Sequence, residues 1–169
     1  MEYKTIKWSV HDNPGRPGEP CIGLLAFNRP RQMNAVDPLM RLELDAISSE
    51  IARNSILKVV VLTGEGDGFC AGGDLHSEAE ALGVTEGTMG IEGPYKEMAE
   101  YFLNDVRHRI LQSAMRKLED LPQVTIAAIN GVAVGIGLEI TTLCDIRIAS
   151  EQARLGEAAV PAGFVPESG

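Results

Sequence analysis

The chain has no run of basic residues, and its formal net charge at pH 7 is −9. Nothing in it neutralises a row of phosphates, which argues against nucleic-acid binding. The acidic whole does not exclude an anionic ligand, because local basic residues and helix N-termini act at short range. Cysteine is sparse: Cys21, Cys70 and Cys144 are odd in number, far apart and without a C-x-x-C pair. They read as buried thiols of a reducing compartment, neither bridges nor a metal site. His11, His76 and His108 have no mutual spacing that suggests a metal site or a triad. The start, MEYKTIKWSV, alternates and carries charge, unlike a signal peptide. The one membrane candidate, residues 124–138, is interrupted by Asn130 and three glycines, closes on Glu139, and is shorter than the ~20 residues a span needs. A soluble cytoplasmic protein is the default reading. Aromatics are only 5% of an otherwise ordinary globular composition, and 169 residues suffice for one domain with a sizeable core.

What the chain does have is a central stretch, VTIAAINGVAVGIGLEITTLCD, over residues 124–145. Its first six residues are β-branched or small and end at Asn130-Gly131, which predicts a buried strand running into a turn. From Gly135 onward, Ile136, Leu138, Ile140 and Leu143 suit a short buried helix, whose first turn holds free backbone N–H groups. Glu139 is a lone acid in this apolar setting. An isolated buried charge is costly, so Glu139 is expected to be paired, to sit at a cleft, or to titrate high. Strand, glycine turn, helix start and acid together suggest a site that binds an oxygen anion and moves a proton. The glycines do not make a dinucleotide loop, because the third glycine of G-x-G-x-x-G would fall at Ile140.

Around that stretch, residues 3–10 alternate as an early strand, 11–20 form a turn cluster, and 21–28 look like the hairpin partner. Asp37 and Pro38 mark a helix start, and Leu39, Leu42, Leu44, Ile47 and Ile51 predict an amphipathic helix to about residue 53. Residues 57–63 read as a buried strand. Residues 76–104 lose all pattern and read as a long, acidic, glycine-punctuated flap. Helical spacing returns over 106–121, and short strands are expected at 146–149 and 153–156. No repeat or linker divides the chain, so residues 1–169 are expected to form one α/β domain.

FCAGGDL and NGVAVGIGLEITTLCDIRIAS resemble the crotonase superfamily, the enoyl-CoA hydratase/isomerase family, with support from NRPRQMNAV, KVVVLTGEGDGFCAGGDL and ARLGEAAVPAGFVPESG. The resemblance covers nearly the whole chain in order and spacing. It implies a spiral of ββα units, assembly as a homotrimer or hexamer, and action on acyl-CoA thioesters, with coenzyme A as part of the substrate and no separate cofactor or metal. It also implies a C-terminal helical part that this chain lacks. The chain alone is then expected to be poorly stable, with an exposed apolar face.

Carried over by that resemblance, the backbone N–H groups of Gly73 and Ile136 would bind the thioester oxygen as an enolate forms. Many relatives have glycine where Ile136 stands, and its side chain would narrow the pocket. Ala35, Gly73, Asp74, Leu75, His76 and Ile136 would line the substrate, and Arg29 and Arg31 are candidate phosphate partners. Glu139 falls where two-acid hydratases keep the glutamate that activates water. The second glutamate of that design would fall at Ala159 and is absent. Glu167 falls where some isomerase branches carry a catalytic aspartate, so Glu139 with Glu167 is the expected acid–base pair. Each acid has a plainer reading: Glu139 as a helix-dipole partner, Glu157 as a solvated or salt-bridged residue, Glu167 as an exposed turn acid. The expected chemistry is hydration, dehydration or double-bond isomerisation of an unsaturated acyl-CoA. The alternatives are hydrolysis or decarboxylation on the same scaffold, or a non-catalytic acyl-CoA-binding or assembly subunit.

Overall fold

The computed structural model describes residues 2–74, 84–85, 88–89 and 109–157. The expected flap over 76–104, apart from a two-strand ribbon, lies outside the described residues, as do Leu75, His76, Ala159 and Glu167. The chain opens with β1 (Ile6–Asn13) and β2 (Arg16–Phe27), then α1 (Pro38–Ala52), β3 (Val59–Gly64) and β4 (Gly68–Cys70). The ribbon is β5 (Val84–Thr85) with β6 (Thr88–Met89). Helical residues 109–119 (α2) follow, then β7 (Val124–Ile129), β8 (Val132–Val134), α3 (Ile136–Leu143), β9 (Ile146–Ala149) and β10 (Arg154–Gly156).

One sheet has the order β1-β2-β3-β7-β9 and a smaller one β10-β8-β4. Beyond the antiparallel β1–β2 hairpin, every pairing in both sheets is parallel. β3, β7 and β9 add in chain order to the large sheet, and the strands after them, β4, β8 and β10, add in chain order to the small one. Each ββ unit thus advances both sheets by one strand, as the expected spiral requires.

β3 alternates half-buried and buried residues, and β7 does so after its exposed first residue, Val124, because one face of the large sheet packs on the core. That core joins Leu25, Phe27, Val60, Leu62, Ala127 and Ile129 to Met40, Leu44, Ile47 and Ile51 of α1 and to Leu111, Met115 and Leu118 of α2. Burying each such side chain is worth roughly 2 kcal/mol. The aspartate expected to start α1 does so: Asp37 Oδ1 accepts from the Met40 N–H at 2.7 Å, with Pro38 in the first turn. The expected apolar stripe needs correction, since Leu39 and Leu42 are 39% and 52% exposed. The buried stripe runs Met40, Leu44, Ile47, Ile51, an i, i+4, i+7, i+11 row that leaves 39 and 42 on the far side.

β2 starts at Arg16, inside the expected turn cluster, because the hairpin tip needs only β1. Pairing with β3 begins at Ile22, so Pro17 and Pro20 interrupt no central ladder. None of the described helices is long and apolar enough to cross a membrane. Val124, Ile146, Ile148 and Leu155 are exposed apolar residues on β7, β9 and β10.

Glu43 ties the start of β1 to α1. Its carboxylate accepts from the Lys4 and Thr5 amides, each at 2.8 Å, and from the Thr5 hydroxyl at 2.5 Å. Burial pushes its pKa up, but the Thr5 hydroxyl and the Lys4, Thr5 and Ile6 amides pull harder, and the net shift is downward. A lowered folded pKa stabilises above the unfolded carboxyl value and is lost as pH falls through the folded one. Glu43→Gln is therefore expected to cost about 2 kcal/mol at pH 7. In urea titrations the gap to the native chain should close below about pH 4, the unfolded glutamate range; a gap constant with pH would refute the role of the charge.

Candidate active site

Two glycine-bearing turns leave the same end of the small sheet. β4 and β8 pair in parallel, with Gly68 opposite Val132 and Cys70 opposite Ala133. The segments that follow them, Ala71–Asp74 and Gly135–Gly137, therefore emerge side by side. Contact between them is backbone to backbone. A Cβ on Gly137 would lie 2.1 Å from the Cys70 carbonyl oxygen, and one on Gly72 would lie 3.0 Å from that of Val134. Gly72 also has φ +99° and Gly135 φ +52°, conformations that side chains resist.

The Gly73 amide has a defined direction. Gly72 C=O accepts from the Val36 N–H at 2.7 Å, and the Asp74 N–H donates to Val36 C=O at 3.0 Å. In a trans peptide the N–H points opposite to the C=O, so the Gly73 N–H faces away from Val36. On the other turn, Gly135 donates its N–H to Gly156 C=O at 3.0 Å, and the Glu139 N–H closes the first turn of α3 onto Gly135 C=O at 2.9 Å. Ile136 is the first residue of α3, so its N–H has no acceptor within the helix. The Gly73 and Ile136 amides thus sit on adjacent turns at one end of one sheet.

The side chains sort as follows. Glu139 is half-buried in the first turn of α3, three residues after Ile136 and so on the same face. Ala35 is buried, and Asp74 is 11% exposed and paired with Arg29. Arg29 is not available to a phosphate. Its guanidinium pairs with Asp74 at 2.7 Å and Asp37 at 3.2 Å, and donates to Ala35 C=O at 2.5 Å. Arg31 is exposed. Glu157, read from the sequence as a solvated or salt-bridged acid, is exposed, and its Oε1 is 4.0 Å from where a Cβ on Gly135 would be. Cys70 and Cys144 are buried, and burial pushes their thiols up to about 12 and about 11, so neither supplies a thiolate.

Three supports were not read from the sequence. Asn34, fully buried with φ +58°, donates to the Glu65 and Gly68 carbonyls, and Asn130 donates to those of Gly64 and Gly66. Both amides fold the loop before β4. The Asn-Gly pair at 130–131 signalled a turn, but nothing local announced the distant carbonyls. Asp145 fixes the far end of α3 by accepting from the Thr125 amide and hydroxyl at 2.8 and 2.9 Å.

The family model for enoyl-CoA hydratase/isomerase matches residues 18–169. The chain belongs to the enoyl-CoA hydratase/isomerase family. It is 36% identical over 150 residues to a short-chain-enoyl-CoA hydratase of Clostridium acetobutylicum, covering 88% of this chain and 50% of that protein. It is 30% identical over 154 residues to a 1,2-epoxyphenylacetyl-CoA isomerase of Escherichia coli, covering 89% and 52%. The crystal structure of an enoyl-CoA hydratase from Bacillus anthracis matches with a TM-score of 0.72 at 32% identity, covering 96% of this chain and 54% of that one. The chain spans about half the length of the curated relatives it matches. In this family member the fold is the crotonase type expected from the sequence.

Gly137→Ala would force α3 off the Cys70 carbonyl. The expected cost is about 3 kcal/mol, the upper range for overpacking. Gly156→Ala meets nothing within 4 Å and should stay within about 0.5 kcal/mol of the native chain. Parallel denaturant titrations compare the two, and equal stabilities would mean the turns are not held in contact.

Proposed function

We propose that the protein acts on an acyl-CoA thioester, binding the carbonyl oxygen between the Gly73 and Ile136 amides while negative charge develops on it. The observation that carries this reading is the Gly73 N–H turned away from Val36 beside the start of α3. A donor aimed at a developing oxyanion is typically worth about 3 kcal/mol of barrier. Family membership supports the thioester class, and the named hydratase and isomerase relatives support an enolate-forming reaction. Ala35, Asp74, Leu75 and His76 would line the thioester, and the protein would work as a trimer or hexamer.

In hydration, Glu139 takes a proton from water as its oxygen bonds to the β-carbon. The π pair moves toward the α-carbon and thioester oxygen, and a protonated acid, proposed as Glu167, completes the α-carbon. In isomerisation a carboxylate of the pair removes the α-proton of a 3-enoyl thioester, the resulting dienolate is held at the same two amides, and return of a proton to the γ-carbon gives the 2-enoyl product. Ala159, standing where two-acid hydratases keep their second glutamate, favours one other reading: an acyl-CoA-binding subunit without turnover.

Incubating the protein with crotonyl-CoA and with a 3-enoyl-CoA, and following products, separates these readings. Turnover is expected. Glu139→Gln should lower it by about 10²-fold or more while acyl-CoA still binds. Binding without consumption of either substrate would favour the subunit reading, and undiminished turnover in the variant would remove Glu139 from the chemistry.

A further inference from the structure

Arg29 spans the loops that set the Gly73 amide. One planar guanidinium meets three acceptors: Ala35 C=O through Nη1 at 2.5 Å, Asp74 Oδ2 through Nη2 at 2.7 Å, and Asp37 Oδ2 through Nε at 3.2 Å. The Arg29, Asp37 and Asp74 side chains are only 14%, 16% and 11% exposed, so water screens this cluster little. Each acceptor sits on a different piece of the support. Asp37 caps α1 with its other oxygen, Ala35 immediately precedes Val36, and Asp74 immediately follows Gly73.

The backbone bonds between these pieces are few. Val36 holds Gly72 C=O on one side and the Asp74 N–H on the other, and Ala71 N–H reaches Met33 C=O at 3.0 Å. Two consecutive glycines, 72 and 73, carry the donor peptide, and glycine resists rotation least of all residues. A peptide plane between them turns easily unless the residues on both sides are pinned. Arg29 holds Asp74 on one side directly and, through the Ala35 carbonyl, the Val36 backbone that holds Gly72 C=O on the other.

We propose that Arg29 is a positioning residue of the thioester site. Acting through Asp74 and the Ala35 carbonyl, it holds the Gly72–Gly73 peptide so that the Gly73 N–H faces the reacting oxygen. The inference rests on the acyl-CoA reading above. A lysine keeps the charge but lacks the planar fork, so it cannot reach all three acceptors together.

The test uses the full chain with a bound 2,4-dienoyl-CoA, whose absorption moves to longer wavelength as its carbonyl is polarised, alongside kinetics with crotonyl-CoA. In Arg29→Lys and Arg29→Met the band should return most of the way to that of free ligand. At the same time kcat should fall by about 10- to 100-fold, the scale of a roughly 1 Å misplacement, while KM changes by less than about threefold. Asp74→Asn, nearly isosteric, should move the band in the same direction and decides the matter if the Arg29 variants do not fold. A full wavelength shift in these variants at saturating ligand, with or without a fall in kcat, would show the clamp to be merely structural and overturn the proposal. A native protein that binds the dienoyl-CoA with no shift would instead overturn the polarising site itself, and the clamp with it.

Discussion

The hydrogen bond from the Val36 N–H to Gly72 C=O, 2.7 Å long, fixes more than its size suggests. A rigid amide plane has two ends, so holding the carbonyl of one residue aims the N–H of the next. The bond exists because the loop after β2 and the loop after β4 run alongside each other for a few residues. That course is itself imposed by the order of strands in the two sheets. Strand order, loop apposition and amide direction form one chain of causes, and the candidate chemistry is its last link.

Close backbone approach is what makes the apposition tight. Where Gly137 faces the Cys70 carbonyl, and Gly131 the Asp67 carbonyl at 1.9 Å from its missing Cβ, there is no room for even a methyl group. These contacts add to side-chain packing, since Phe69 and Cys70 of β4, Ala133 of β8 and Ile140 of α3 lie in the same buried core as the large sheet, with Phe69 edge-on to Phe27. The large sheet carries the aliphatic core with both long helices.

Much of this could be read from the residues. Short runs of β-branched and small residues marked β3 and β7, the apolar residues after Gly135 marked α3, and Asp37-Pro38 marked the start of α1 because capping depends on neighbours in sequence. The family resemblance pointed to Gly73, Ile136 and Glu139 as candidates. What stayed hidden depends on long-range partners. Arg29 looked like a free cation until Asp74, 45 residues away, came beside it. Nothing in its own stretch singles out Glu43, whose partners are the backbone amides of Lys4 and Thr5. Leu39 and Leu42 were read as core because leucine alone carries no record of which way a helix is rotated, and Met40 took the buried place instead.

Position 136 differs from its glycine neighbours in one respect. Gly135 is constrained by a positive φ and Gly137 by the Cys70 carbonyl, whereas Ile136 between them carries a branched side chain and is only half-buried. The turn, not the side chain, presents its amide. A substitution at 136 therefore changes what the turn displays and leaves its amide in place, whereas one at 135 or 137 moves the amide itself.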